Sequence, residues 1–257
     1  MRIITWNVNG IRAAQKKGFM RWLVQEQPDI LCVQETRAHK EQLDAEILNP
    51  CTKSESTYES YWLSAQRAGY AGVALYTLLS PQSVTPLGLY EYDSEGRFLQ
   101  ADFESFSVIS VYFPHVQESH KRLDYKIAFC EAVRNRCDYI RSHNRHVILC
   151  GDYNIAHNPI DLAQHEKHAD DAGYLPEERA WIDSFLHAGY VDSFRFMHPN
   201  ESGCYSWFSY RSGARQRNRG WRIDYLCVDE ELAPSIKKAS ILAGVCGFDH
   251  NPCSIEL

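Results

Sequence analysis

Short apolar runs recur from one end of the chain to the other, at residues 3–6, 30–33, 73–76, 108–113, 147–150 and 223–228. Several are apolar on consecutive rather than alternate residues, a pattern that predicts strands covered on both faces. Between some of them the period changes. Leu123, Ile127, Cys130, Val133, Cys137 and Ile140 fall three or four residues apart, which predicts a long amphipathic helix over 122–142. Pro176-Glu177-Glu178 reads as a helix start, with proline in the first turn and acids favoured by the helix dipole, and Gly189 marks its end. From Tyr70 to Phe113 strand patterns follow one another with no helix between them. Mixed β-α and β-β connectivity of this kind predicts an α/β or α+β fold: two packed sheets with helices outside. No fixed repeat, low-complexity stretch or Pro/Gly/Ser linker divides the sequence, so a single domain over residues 1–257 is expected.

Composition adds bounds. The chain is 44% hydrophobic and 23% charged, as in an ordinary soluble globular protein. A domain of this size buries roughly 70–75% of the surface its unfolded chain exposes, so it needs no covalent staples. The nine cysteines are odd in number, scattered and without a C-x-x-C pair; Cys32, Cys150 and Cys227 lie inside apolar runs, where cysteine acts as a small hydrophobe. No apolar stretch approaches the roughly 18 residues of a membrane span, nor does an apolar leader follow residues 1–5. The expectation is a protein without a membrane partner in a reducing cytoplasm.

Net charge is −6, yet it is unevenly spread. Residues 11–25 hold Arg12, Lys16, Lys17 and Arg21 with no acid, and residues 211–223 hold Arg211, Arg215, Arg217, Arg219 and Arg222, again with none. Residues 161–178 carry Asp161, Glu166, Asp170, Asp171, Glu177 and Glu178 against Lys167 alone. Any one such run reads as a solvated surface; two basic segments on an acidic chain suggest a local anion-binding face.

Polar residues cluster where the strand candidates stop. Asn7 and Asn9 follow the first run, Gln34-Glu35-Thr36 the second, and Gly151-Asp152-Tyr153-Asn154 the run at 147–150; Asp224 interrupts the run at 223–228, and Asp249-His250 stands near the end. Each has a plain alternative: a strand-end charge for Glu35, an Asx-turn for Asp152, an arginine partner (Arg219 or Arg222) for Asp224, a structural histidine for His250. Acids against apolar strands are costly unless paired, hydrogen-bonded or bound to a cation, and a hard divalent ion requires carboxylate and carbonyl oxygens.

At these residues a resemblance enters. Thr5-Trp6-Asn7-Val8-Asn9-Gly10-Ile11-Arg12-Ala13, Gln34-Glu35-Thr36, Gly69-Tyr70-Ala71-Gly72-Val73-Ala74-Leu75, Val111-Tyr112-Phe113-Pro114, Gly151-Asp152-Tyr153-Asn154-Ile155-Ala156-His157, Ala172-Gly173-Tyr174 with Pro176-Glu177-Glu178-Arg179, Arg219-Gly220-Trp221-Arg222-Ile223-Asp224-Tyr225 and Gly247-Phe248-Asp249-His250 occur in this order. Together they resemble the exodeoxyribonuclease III family of AP endonucleases, within the endonuclease–exonuclease–phosphatase superfamily. The resemblance implies a deoxyribonuclease I-like four-layer α/β sandwich of two mixed sheets flanked by helices. It also implies hydrolysis, dependent on Mg²⁺ or Mn²⁺, of the phosphodiester 5′ to an abasic site, with 3′-5′ exonuclease and 3′-phosphatase activity.

By the same resemblance, Glu35 is the principal metal ligand, with Asn9 and Asp249 beside it and Asp152, Asn154 and His250 around the same ion. Asp152 activates the attacking water, which Asn154 and Asn7 orient; His250, held by Asp224, donates to a phosphate oxygen near Tyr112. Arg12, Ala13, Lys17, Tyr70, Arg217 and Asn218 meet DNA, and Trp207, Trp221 and Ile223 form a pocket for a flipped-out abasic sugar; core packing is the plain alternative for both tryptophans. The implied partner is double-stranded DNA with abasic sites or blocked 3′ ends, bound by a monomer.

The sequence also departs from the family pattern. Phe248 replaces the usual serine before Asp249-His250, Glu118 stands where relatives commonly carry a DNA-inserting arginine, and residues 164–171 replace an Asn-rich segment. His157, His165 and His168 invite comparison with an auxiliary metal site, against a solvated loop. Two other readings share the chemistry: a superfamily hydrolase acting on a phosphoinositide or sphingolipid, and a noncatalytic DNA-binding member, which would be expected to lose Glu35, Asp152 or His250.

Overall fold

The computed structural model describes residues 1–245 and 247–257, with Glu118 and Ser212 described by backbone alone. In chain order the strands are β1 (Arg2–Asn7), β2 (Ile30–Gln34), β3 (Glu59–Leu63), β4 (Val73–Thr77), β5 (Ser83–Thr85), β6 (Phe98–Asp102), β7 (Phe106–Tyr112), β8 (His146–Asp152), β9 (Tyr190–Asp192), β10 (Asp224–Asp229), β11 (Lys238–Ile241) and β12 (Cys253–Glu256). The helices are α1 (Ile11–Lys16), α2 (Phe19–Glu26), α3 (Ala45–Leu48), α4 (Tyr90–Asp93), α5 (Leu123–Ser142), α6 (Pro176–His187) and α7 (Ser193–Met197).

Two six-stranded sheets form, ordered β11-β12-β1-β2-β4-β3 and β5-β6-β7-β8-β10-β9. Each has one parallel pair, β1 with β2 and β7 with β8, among antiparallel neighbours. Ile3, Ile30, Cys32, Val108, Ile148, Cys150 and Leu226 fill the space between the sheets. The other face of the first sheet buries Ile4, Trp6, Leu31 and Tyr76 with Phe19, Met20 and Leu23 of α2. The other face of the second buries Ile109, Val147 and Leu149 with α5 and α6. The consecutive apolar runs therefore have a physical cause: strands β2, β4 and β8 are enclosed on both faces, each fully buried aliphatic side chain contributing about 1.5–3 kcal/mol. This is the expected sandwich of two mixed sheets between helical layers.

Three details differ from the sequence reading. The stretch between Tyr70 and Phe113 does contain a helix, the single turn α4. Asp224 opens β10 rather than interrupting a strand, and lies across from Asp152. The inward face of α5 begins with Lys126, which is buried, whereas Leu123 and Ile127 are only half-buried.

What matters for the site is polarity of direction. The parallel pairs β1/β2 and β7/β8 release Asn7, Glu35, Tyr112 and Asp152 at the sandwich end where β10 begins with Asp224 and the chain enters β12 just after His250. Between Gly151 and β7 the strands approach closely: a Cβ there would lie 1.8 Å from the Val111 carbonyl oxygen, so only glycine fits before Asp152.

Candidate active site

Past the ends of β1 and β2 the two chains stay hydrogen-bonded, Gly10 N–H to the Glu35 carbonyl at 2.7 Å and Ile11 N–H to that of Thr36 at 2.9 Å. This zipper holds Asn9 and Glu35 in the left-handed region, at φ of 50° and 52°; Asn154, at 51°, does the same beyond β8. Non-glycine residues seldom adopt that conformation, and when held there by surrounding contacts they cluster at functional sites.

Hydrogen bonds join the strand ends into one network. Asn7 Nδ2 donates to Glu35 Oε1 at 3.0 Å and to Asp152 Oδ2 at 2.8 Å, so one amide bridges two carboxylates. The Tyr112 hydroxyl donates to Glu35 Oε1 at 2.9 Å. Asn154 turns its backbone N–H onto Asp152 Oδ1 at 2.8 Å, and its side chain donates to the Phe113 carbonyl at 3.0 Å. Asn9 Nδ2 donates to Asp249 Oδ2 at 2.8 Å. Asp224 is joined to His250, Oδ2 to Nδ1 at 2.9 Å, while Arg222 pairs with Asp161 and Asp192 instead. The other imidazole nitrogen lies 4.0 Å from Asp152 Oδ2, beyond direct hydrogen-bond reach.

The charges are set by this packing. Burial disfavours the His250 imidazolium, but the Asp224 carboxylate, its hydrogen bond, and the charges of Asp152 and Asp249 outweigh that and push its pKa up to about 10. Burial, followed by repulsion from Asp224, pushes Asp152 up to about 7, against the pull of His250, Asn7 and Asn154. Burial first, then the charges of Glu35 and Asp152, hold the Tyr112 phenol far above its ordinary range, so it stays a donor. His115, on the same wall, is pushed down by burial and by Lys126 and stays neutral.

Asn9, Glu35, Tyr112, Asp152, Asn154, Asp249 and His250 line one cavity of about 310 Å³, whose wall also includes Arg37, His115 and an apolar side of Gly173, Trp207, Trp221 and Ile223. Trp207 and Trp221 exchange backbone hydrogen bonds at 2.8 and 2.9 Å, and their rings pack with Leu162, Tyr174 and Ile223. They are cavity wall and packing at once. Of the other DNA-contact expectations, Arg12, Ala13, Lys17, Arg217 and Asn218 are exposed and stand outside the cavity lining. Lys17 lies over the rings of Tyr210 and Phe248, at 5.8 and 5.1 Å, and the Tyr210 hydroxyl donates to Asp249 at 3.2 Å, which places Lys17 beside the Asp249 loop. The Tyr70 hydroxyl accepts from Arg97 and Arg122 at 2.7 and 2.8 Å.

The charged runs are less uniform than their sequence suggests. Arg222 is a buried brace, and Arg215 holds Asn251 and the Phe248 carbonyl, so the exposed cations of that run are Arg211, Arg217 and Arg219. In the acidic run Asp161 and Glu178 are buried in ion pairs. Phe248 does not enter the cavity: it is buried against Trp6, with ring centres 4.5 Å apart. Residues 164–171 flank the tryptophan wall, with the His168 ring 5.2 Å from Trp221. His157, His165 and His168 do not converge; they pair separately with Asp183, Glu166 and Asp171. The Glu118 side chain lies outside the described residues.

Sequence reasoning missed Arg37, His115 and Tyr210. Arg37 could have been flagged, standing two residues after Glu35; its guanidinium is ion-paired with Glu35 Oε2. That contact also tests the donor set for a metal. Glu35, Asp249 and Asp152 bring three carboxylates to one cavity, and a side-chain cation already stands at Glu35 Oε2, so the residues fit a hard divalent ion. The ligand-capable atoms of Asp152, Asp224 and His250 also lie within 4.8 Å of one another. There one imidazole nitrogen is already joined to Asp224 Oδ2, which leaves the other facing Asp152.

Comparison with known proteins gives the same picture. The model of the endonuclease/exonuclease/phosphatase family matches residues 4–244. An exodeoxyribonuclease of Bacillus subtilis (strain 168) is 42% identical over 261 residues, covering 100% of this chain and 98% of the relative. The DNA repair nuclease APEX1 of Danio rerio is 36% identical over 259 residues, covering 100% of this chain and 82% of the relative. The solved structure of an AP endonuclease from Archaeoglobus fulgidus superposes with a TM-score of 0.86 at 27% identity, covering 100% of this chain and 99% of the other.

Proposed function

This chain belongs to the endonuclease/exonuclease/phosphatase family, and from that premise we propose that it is a DNA-repair nuclease cutting the phosphodiester 5′ to an abasic site and trimming blocked 3′ ends. One observation carries the reading: the carboxylates and the imidazolium share their cavity with an apolar wall of Trp207, Trp221 and Ile223. A nuclease without lesion preference has no use for that wall, whereas a flipped-out sugar lacking its base needs such a surface. Exposed Arg12, Lys17 and Arg217 supply positive charge for the DNA backbone, and one copy of the chain carries every group, so the reading has it act as a monomer.

Each role follows from position. In-line attack loads negative charge on the nonbridging and leaving oxygens. Asp152 accepts the proton of the attacking water, and its two oxygens are fixed by Asn7 and Asn154. His250, kept protonated by Asp224, donates to a nonbridging oxygen, and preorganised donors of this kind cost no reorganisation at the moment of reaction. Glu35, with Asn9 and Asp249 alongside, would hold Mg²⁺ or Mn²⁺, which when bound stabilises phosphate charge as a Lewis acid. The deciding assay is a labelled duplex with one abasic site, set beside intact and 3′-recessed duplexes and lipid headgroup esters. Turnover of the lipid esters alone overturns the reading.

Two expected results arise here. Trp221→Ala removes an apolar wall, so abasic-site incision slows by on the order of 10²-fold, the cost of a displacement of about 1 Å at the reacting phosphate, while cutting of undamaged DNA stays equal or rises. The ratio of the two rates is the readout, since misfolding lowers both; an unchanged ratio would make the tryptophans packing only.

The second concerns pH. The active form needs Asp152 ionised and His250 protonated, giving a bell in kcat/KM between limbs at about 7 and about 10. Asp224 raises both values, so Asp224→Asn lowers both and slides the whole bell toward acid. An alkaline limb that stays in place would show that Asp224 does not hold the proton on His250.

A further inference from the structure

Helix α5 turns a lysine inward. The Lys126 side chain is 0% exposed, as is that of its partner Glu178 on α6, with Nζ and Oε1 2.6 Å apart. Taking two charges out of water costs several kcal/mol per ion, and a pair replaced by apolar side chains is often no less stable, so stability alone is a weak reason for this pair. Its remaining contacts point toward the site. Glu178 Oε2 accepts the backbone N–H groups of Gly173 and Leu175 at 2.7 and 3.1 Å, which fixes the carboxylate. The ammonium so held donates to the backbone carbonyl of Asn154 at 2.7 Å.

Asn154 is the left-handed residue whose N–H meets Asp152 Oδ1. The two contacts lie on either side of one left-handed Cα: the N–H meets Asp152 Oδ1 and the carbonyl, one peptide unit on, meets Lys126 Nζ, so both depend on the same backbone conformation. Without that donor the carbonyl would be orphaned, and the left-handed conformation would be held only by the Phe113 and Asp152 contacts. The loop is also closely packed at this point. A Cβ on Gly173 would lie 3.1 Å from the Asn154 carbonyl oxygen and 3.3 Å from the Trp221 ring.

We infer that the buried Lys126–Glu178 pair is a positioning device for the hydrolytic reaction, holding Asn154 in its left-handed conformation so that Asp152 stays aimed at the attacking water. The inference rests on the proposed nuclease reading. Lys126 does not line the cavity; it acts through the Asn154 carbonyl.

The test uses the intact chain with Mg²⁺ and the abasic duplex. Lys126→Met strands the Glu178 charge and lowers Tm. The double variant Lys126→Met/Glu178→Gln removes both charges, keeps an acceptor for the Gly173 and Leu175 N–H groups, and regains most of that Tm. Its kcat is expected to stay roughly 10–100-fold below wild type with KM within about twofold, because misaimed catalytic groups cost rate more than binding. A double variant with wild-type kcat overturns the inference. Its kcat is compared with that of the same changes placed on Asp152→Asn, where there is no base left to aim. There the further loss is expected to be less than about twofold, and a full additional loss would show that the pair acts elsewhere. Wild type and Asp152→Asn, run alongside, report separately on the nuclease reading itself.

Discussion

Asp152→Asn is expected to lower kcat on an abasic duplex by about 10²–10⁴, the usual span for a lost general base, with DNA binding retained. The substitution keeps shape and most contacts. An amide oxygen can still accept from one of the two donors, Asn7 Nδ2 or the Asn154 N–H, so most of the network around the site survives. What is lost is the cavity carboxylate that Asn7 and Asn154 hold in place to take a proton from water. Glu35 is occupied by Asn7, Tyr112 and Arg37, and Asp249 by Asn9 and Tyr210. Tyr112 stays protonated, and His250 already carries its proton. Single-turnover kinetics on a variant of wild-type melting behaviour gives the answer. A loss smaller than tenfold would mean that Asp152 is not the base.

The parts of this architecture readable from sequence are those enclosed on both sides. Strands β1, β2 and β8 must be apolar on consecutive residues because sheet and helix press on opposite faces, and the run of large side chains shows it. Three-residue strands such as β5 and β9, and the one-turn α4, bury too little to leave a periodic trace. The site divides in the same way. Asn7, Glu35, Asp152 and Asp224 stood out because a polar group at the end of a buried strand has to be explained by a partner. Lys126, Arg97 and Arg222 did not, because a charge in a helix or loop looks solvated until its partner, distant in sequence, is seen across the core. The placement of Phe248 was hidden for a related reason: its neighbours Asp249 and His250 face the cavity, but its own ring turns back onto Trp6.

Cleavage should stop when divalent cations are stripped with EDTA and return with Mg²⁺ or Mn²⁺, and Glu35→Ala should demand more metal for the same rate. The argument is electrostatic. Glu35, Asp152 and Asp249 place three carboxylates around one small cavity, and a phosphodiester entering it adds a further negative charge. His250 and Arg37 are the cations among the cavity-lining residues, and Arg37 is ion-paired with Glu35. Leaving that excess of negative charge buried and uncompensated would cost far more than binding the DNA could return. Removing Glu35 takes away the carboxylate best placed to anchor the ion, yet leaves Asp249 and Asn9, so affinity should weaken without vanishing. A shift of at least roughly 10–100-fold in the half-saturating Mg²⁺ concentration is expected, since even outer-shell partners of metal sites are worth that much. Excess Mg²⁺ should then restore part of the rate, and Mn²⁺ titrated directly into the protein should show the same weakening without reference to turnover. Asp152→Asn makes the contrast, because added metal cannot supply a proton acceptor and its rate should stay low at every concentration. Full cutting by rigorously stripped protein, or a Glu35→Ala variant with unchanged Mn²⁺ affinity, would remove the metal from the Glu35 side of the cavity.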